Sequence, residues 1–150
     1  DDYRAVMASC ALPGFCRPVK VGDRYYYDGG VADSIPLHHA IEHGCTKMVV
    51  ILSNPRDFVK KPEAHRPFYK HMLHKYPKTI QSIDNRHINY QASIDLASRL
   101  EKEGYVFIFA PSRHMPLSTF SKDAALEQDL YDLGVADYEA RAEELKYFLN

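Results

Sequence analysis

One short run, Met48-Val49-Val50-Ile51-Leu52, restricts the fold more than any other stretch of this chain. It is apolar throughout, rich in β-branched residues and closed by Ser53-Asn54-Pro55, so it reads as a strand of a parallel sheet covered on both faces. A second run of this kind, Tyr105-Val106-Phe107-Ile108-Phe109, ends at Ala110-Pro111. Parallel strands cannot be joined by a tight turn and need long, usually helical, crossovers. Helical periodicity occupies the interval between them: Ile80, Ile83, His87, Tyr90, Ile94 and Ala97 step by threes and fours, which predicts one long helix from Lys78 to Glu103 stopped by Gly104. The class expected is α/β with a mainly parallel sheet.

The remaining segments fit that class. A helix ends near Ser9, and residues 18–21 and 24–27 read as short strands around the turn Gly22-Asp23. Pro36 has the fixed φ that suits a helix start, so 36–43 is expected to be helical, with Gly44 as its stop. Ser121 is a candidate cap for a helix running to Leu133, Gly134 a candidate stop, and Val135 to Leu149 a last amphipathic helix.

The segment Tyr25-Tyr26-Tyr27-Asp28-Gly29-Gly30-Val31-Ala32-Asp33-Ser34-Ile35-Pro36 carries the strongest chemical signal. It places one carboxylate, Asp28, on a glycine-rich turn between a strand and a helix, where open α/β sheets keep their sites. Gly29 and Gly30 lack Cβ, so the backbone there can take positive φ and let another segment approach closely. An arbitrary Asp-Gly is more often only a turn; what surrounds this one decides.

Ala8-Ser9-Cys10-Ala11-Leu12-Pro13-Gly14-Phe15, followed after a variable stretch by Tyr27 to Pro36, resembles the second half of the patatin-like phospholipase domain. Residues 100–112 and Leu130-Tyr131-Asp132-Leu133-Gly134 are similar to the C-terminal region of a bacterial branch of that family. The resemblance implies the C-terminal portion of a patatin-like three-layer α/β fold followed by C-terminal helices. Within residues 1–150, taken as a single unit, about 1–55 would form the patatin core and about 56–150 the C-terminal region. It also implies a serine esterase acting on lipid acyl esters through a Ser-Asp dyad, without metal or organic cofactor. Asp28 matches the base, and Gly29 and Gly30 match the motif backbone. The partner serine does not match: none of the seven glycines frames a Gly-x-Ser-x-Gly, and no glycine-rich run supplies oxyanion-hole amides. With helix already in progress at Asp1 and no start methionine, the chain reads as a fragment whose catalytic front half lies upstream. The competing expectation is a non-catalytic binding or interaction module that retains the second half of the fold.

Charge separates two regions. Residues 56–78 hold seven basic and two acidic residues, and residues 121–150 three basic and eight acidic. In the first, Phe68, Tyr69, Met72, Leu73 and Tyr76 recur at helical spacing among Arg66, Lys70, His74 and Lys75. Arg66, Phe68, Lys70 and Lys75 are therefore candidates for contact with an anionic membrane surface, against the plainer expectation of a helix with solvated charges. Over the whole chain the net charge is -1, which gives no electrostatic case for nucleic acid. No apolar run approaches the roughly 18 residues of a membrane span, and no signal-like stretch is present, so a cytoplasmic or peripheral location is expected. Apolar strands that need cover make self-association a further expectation. Cys10, Cys16 and Cys45 show no metal-binding or disulfide spacing and are expected to be reduced thiols in or near the core. His39 with His43, and His71 with His74, could share helix faces, but no third ligand is indicated, so no metal site is assigned. Ser9 lacks flanking glycines and follows a helix, unlike a nucleophile on a strand-to-helix elbow. His114 has no partner visible in sequence.

Overall fold

The computed structural model describes residues 3–116 and 122–150. It is a mixed α/β structure with two small sheets, one antiparallel and one parallel. The chain divides into two compact units, each assembled from two stretches: residues 1–37 with 59–95, and residues 38–58 with 96–150.

The first unit begins with helix α1 (Arg4–Ser9) and the hairpin β1 (Val19–Val21) and β2 (Arg24–Tyr26). Gly22, at φ +58°, supplies the left-handed residue that a two-residue hairpin loop uses. The resulting register pairs Val19 with Tyr26 and Val21 with Arg24. A 3₁₀ turn, Gly29–Val31, follows. The 59–95 stretch contributes α3 (Arg66–Met72) and the first part of α4 (Pro77–Lys102). Here the apolar stripe expected on one continuous helix divides. α3 stops at Met72, and Tyr76 lies beyond it, before Pro77, whose ring disfavours helical backbone in the preceding residue. Leu73, Val31, Ile80 and Ile83 form a buried cluster with Tyr27, Tyr69 and Tyr76 packed against it, whereas Phe68 and Met72 face outward.

In the second unit one local device is used twice. Helix α2 (Leu37–Glu42) ends at Gly44, φ +81°, and α4 ends at Gly104, φ +83°. In each case the glycine and the next residue donate back to carbonyls of the last turn: Gly44 to Ile41 and Cys45 to Ala40, Gly104 to Glu101 and Tyr105 to Leu100. Each stop leads directly into a strand, β3 (Met48–Ile51) or β4 (Val106–Phe109), and the two pair in parallel with Met48 opposite Val106 and Ile51 opposite Phe109.

The expected cover on both faces of this sheet is only partly present. Val106, Phe107 and Ile108 are buried, but Val49 and Ile51 are exposed. The register explains this, because Val49 and Ile51 share a face with Phe107 and Phe109, which helix α5 (Ala124–Leu149) covers with Phe148, Tyr138 and the Arg141 guanidinium, 4.3 Å from the Phe107 ring centre. α5 therefore serves the β4 side of that face and leaves the β3 side open.

α5 also corrects the expected break at Gly134: it runs unbroken for 26 residues. A glycine inside a helix costs about 1 kcal/mol relative to alanine, and it stops a helix only by turning left-handed, which Gly134 does not do. Contacts further along α5, at Tyr138, Arg141 and Phe148, hold the helix past it. Asp123 caps α5, accepting from Ala125 and Leu126, while the cap expected at Ser121 lies outside the described residues. The cysteines differ from expectation as well: Cys10, Cys16 and Cys45 are free and exposed, not buried.

Candidate functional site

Asp28 sits where the hairpin gives way to the 3₁₀ turn, with φ -48° and ψ 125°. Its backbone N–H donates to the carbonyl of Ala11 at 3.0 Å, which ties the turn to a buried residue of the loop after α1. Its carboxylate is half-buried. One oxygen, Oδ1, accepts the N–H of Gly30 at 2.8 Å; the other, Oδ2, accepts no hydrogen bond from the described residues. The group is thus oriented through one oxygen and available through the other.

The glycines act by a different means from the one their sequence suggests. Neither Gly29 nor Gly30 has positive φ. Gly30 supplies space: a Cβ there would lie 3.2 Å from Asp28 Oδ1, tighter than ordinary van der Waals contact, and would press on the carboxylate. At Gly29 a Cβ would meet nothing within 4 Å.

The residues flanking the turn fasten it to the core of the first unit. Val31 is part of the buried cluster, and the Tyr27 ring meets Tyr76 edge-on with centroids 5.5 Å apart. Burial pushes the Tyr27 phenol upward, and the neighbouring Tyr76 adds to it, so Tyr27 stays neutral. Across the turn, the Gly30 carbonyl accepts from Ser34 Oγ at 2.7 Å and from Arg86 Nε, on α4, at 2.9 Å. Nothing in the sequence pattern marks Arg86, since its partner lies 56 residues away and a lone arginine on a helix ordinarily faces solvent. An open cleft of about 250 Å³ runs beside the turn, lined by Ala5, Ala8 and Ser9 of α1 and by Val21, Tyr27 and Gly29. Ser9 reaches this cleft from the end of α1.

The membrane-contact candidates separate by what they touch. Arg66 makes a two-pronged pair with Asp84, Nε to Oδ1 at 2.8 Å and Nη2 to Oδ2 at 2.7 Å, and Tyr69 Oη adds a bond to Oδ1 at 2.6 Å. Phe68 is 66% exposed, and Lys70 and Lys75 are exposed. The Arg66 bonds foremost, then the Tyr69 bond, hold the Asp84 carboxyl down at about 2, while burial and the Asp84 carboxylate push Tyr69 up to about 12. Because the folded-state value of Asp84 is depressed, the stability it contributes is present above its ordinary range near 3.8 and is lost as pH falls through about 2. The urea midpoint of Asp84→Asn is therefore expected to lie below that of the parent chain at pH 5 to 7 and to converge on it at about pH 2, a convergence that urea melts across this range would register.

The His39 and His43 rings meet at a tilt of 51° with centres 4.1 Å apart, and His43 Nδ1 lies 2.9 Å from the His39 carbonyl. Among the described residues no group of three or more His, Cys, Asp or Glu could hold a metal ion. His114, without a partner in sequence, pairs with Asp57 at 3.1 Å in the second unit. No helix among the described residues is long and apolar enough to cross a membrane.

Compared with known proteins, residues 3–41 match the family model described as Patatin-like phospholipase, the stretch that contains Asp28, Gly29 and Gly30. Residues 76–150, half of the chain, match the model described as Domain of unknown function (DUF6363). Uncharacterized protein YjjU of Escherichia coli (strain K12) is 37% identical over 59 residues, which is 39% of this chain and 16% of that protein. No solved structure matches.

Proposed function

The chain belongs to the DUF6363 family, and from that premise, joined to the patatin-like match over residues 3–41, we propose that it is part of a lipid acyl hydrolase in which Asp28 is the base of a Ser-Asp dyad. The observation that carries this reading is the state of the Asp28 carboxylate: one oxygen fixed by Gly30 N–H, the other uncommitted, on a turn held from both sides and bordering an apolar-walled cleft. A serine hydroxyl is a weak nucleophile until a base within hydrogen-bond reach removes its proton as it attacks the acyl carbonyl. Asp28 would accept that proton through Oδ2 and return it to the departing alcohol. Metal and organic cofactors have no part in these steps. The nucleophile would come from a Gly-x-Ser-x-Gly turn outside these 150 residues.

The 150-residue chain alone is accordingly expected to hydrolyse short-chain nitrophenyl esters no faster than buffer, whereas the longer protein that contains it should turn them over and lose that activity with Asp28→Asn. Ester hydrolysis by the isolated chain that vanishes in Asp28→Asn would instead locate a nucleophile within it, with Ser9 in the cleft the first to replace. A longer protein that lacks esterase activity while remaining folded would favour the non-catalytic interaction module, the reading that the missing Gly-x-Ser-x-Gly supports.

The same reading makes α3 a contact for an anionic lipid surface. Phe68 and Met72 are 66% and 42% exposed, Lys70 and Lys75 are exposed as well, and Arg66 is already engaged by Asp84. Each basic side chain near an anionic surface contributes about 1 kcal/mol, so replacing Lys70 and Lys75 by Glu should weaken binding to phosphatidylserine vesicles by at least about tenfold. Added salt should weaken it too. Sedimentation that is equal for anionic and neutral vesicles, or unchanged in the double variant, would leave α3 as a helix with solvated charges.

A further inference from the structure

We propose that Arg86 is a positioning residue for Asp28, acting through Gly30, and that this is a task of the DUF6363 region. The inference rests on the reading of Asp28 as the base. Gly30 is bound on both sides: its N–H orients the Asp28 carboxylate at 2.8 Å, and its carbonyl is gripped by Arg86 Nε at 2.9 Å and Ser34 Oγ at 2.7 Å. The guanidinium is itself braced from the far side, where Nη1 meets Glu63 Oε1 at 3.0 Å, and Lys60 lies 3.7 Å from that same oxygen. A chain of contacts thus runs from Glu63 through Arg86 and Gly30 to Asp28, all within the first unit.

Such bracing is needed because the Asp28–Gly30 contact is short in sequence and rests on a three-residue 3₁₀ turn, a poor anchor by itself. A general base must be held within roughly 0.5 Å of its working geometry, by groups whose own orientation is fixed. Val31 secures the turn from its apolar side, and Arg86 secures its polar side. A planar guanidinium can donate to the Gly30 carbonyl and to Glu63 at once from different nitrogens; a lysine ammonium, a single nitrogen on a flexible four-carbon stem, cannot reproduce that fork. Gly30 must remain glycine for the grip to end at the carboxylate, since a Cβ would stand 3.2 Å from Oδ1.

The test combines two measurements on Arg86→Met, Arg86→Lys and Ser34→Ala. In the 150-residue chain, amide hydrogen exchange should show Gly30 losing about tenfold or more of its protection in Arg86→Met, part of that loss in Arg86→Lys and less in Ser34→Ala, with Ile83 in the core unchanged. In the longer protein, kcat for a nitrophenyl ester should fall by about 10- to 100-fold in Arg86→Met at unchanged KM and melting temperature, with partial recovery in Arg86→Lys. Unchanged protection at Gly30 in Arg86→Met would overturn the proposal, as would a loss of kcat matched by loss of Ile83 protection, the mark of a merely structural arginine. Turnover that survives Asp28→Asn would overturn the dyad, and with it any catalytic consequence for Arg86. The exchange result at Gly30 would still decide whether Arg86 orients the turn.

Discussion

In a complete hydrolase of the kind proposed above, Asp28→Asn is expected to lower kcat for ester hydrolysis by roughly 10²- to 10⁴-fold, the usual contribution of a positioned general base, with KM and the melting temperature little changed. The substitution separates the two jobs of this side chain. Asparagine keeps a carbonyl oxygen that can accept the Gly30 N–H, so the 3₁₀ turn stays capped, but it cannot take up a proton. Asp28→Ala removes both functions, and to the same loss of turnover it should add about 0.5 to 2 kcal/mol of destabilisation from the missing cap. Steady-state kinetics with urea melts on both variants would read the two effects independently. Near-normal turnover in a well-folded Asp28→Asn protein would move the base elsewhere.

The largest effect on stability is expected from Leu73→Ala, at about 2 to 5 kcal/mol. Leu73 is 2% exposed and packs with Val31, Ile80 and Ile83, so truncation both forfeits transfer free energy and leaves a cavity between the 3₁₀ turn and α4. A typical domain is stable by only about 5 to 15 kcal/mol, so the urea midpoint should drop plainly. Phe68→Ala, five residues earlier and 66% exposed, should stay within about 0.5 kcal/mol of the parent chain. Equal effects at the two positions would mean that α3 packs through a different face.

Much of the secondary structure could be read from local signals, because local chemistry determines it. Gly22 in its hairpin, Gly44 and Gly104 at their helix ends and the two apolar strands all lie where composition and spacing put them. What failed was local evidence with two meanings. Gly134 carries the same signal as Gly104, yet only Gly104 turns left-handed, and the difference lies in the contacts of α5 with β4, which no window of sequence contains. The division of the α3 stripe likewise depends on which side chains meet Val31 and Ile83. At the candidate site, Asp28 was legible through its turn and its family resemblance, but Arg86 was not, because its meaning lies in a carbonyl 56 residues away. Grouping residues 59–95 with 1–37 depends on the same kind of distant pairing, whereas the family resemblance implies a division near residue 55.

The two family models meet this chain at residues 41 and 76, but the core of the first unit respects neither limit: Val31 belongs to one match, Ile80 and Ile83 to the other, and Leu73 to the gap between. Pieces that interlock in this way share one core. A recombination joint placed anywhere between Val31 and Ile80 would give each descendant half a core, and a mutation on one side would be rescued only by a change on the other. The match of known relationship and the match of unknown function are therefore expected to melt as one cooperative unit, and a chain cut between Val31 and Ile80 to lose that melt.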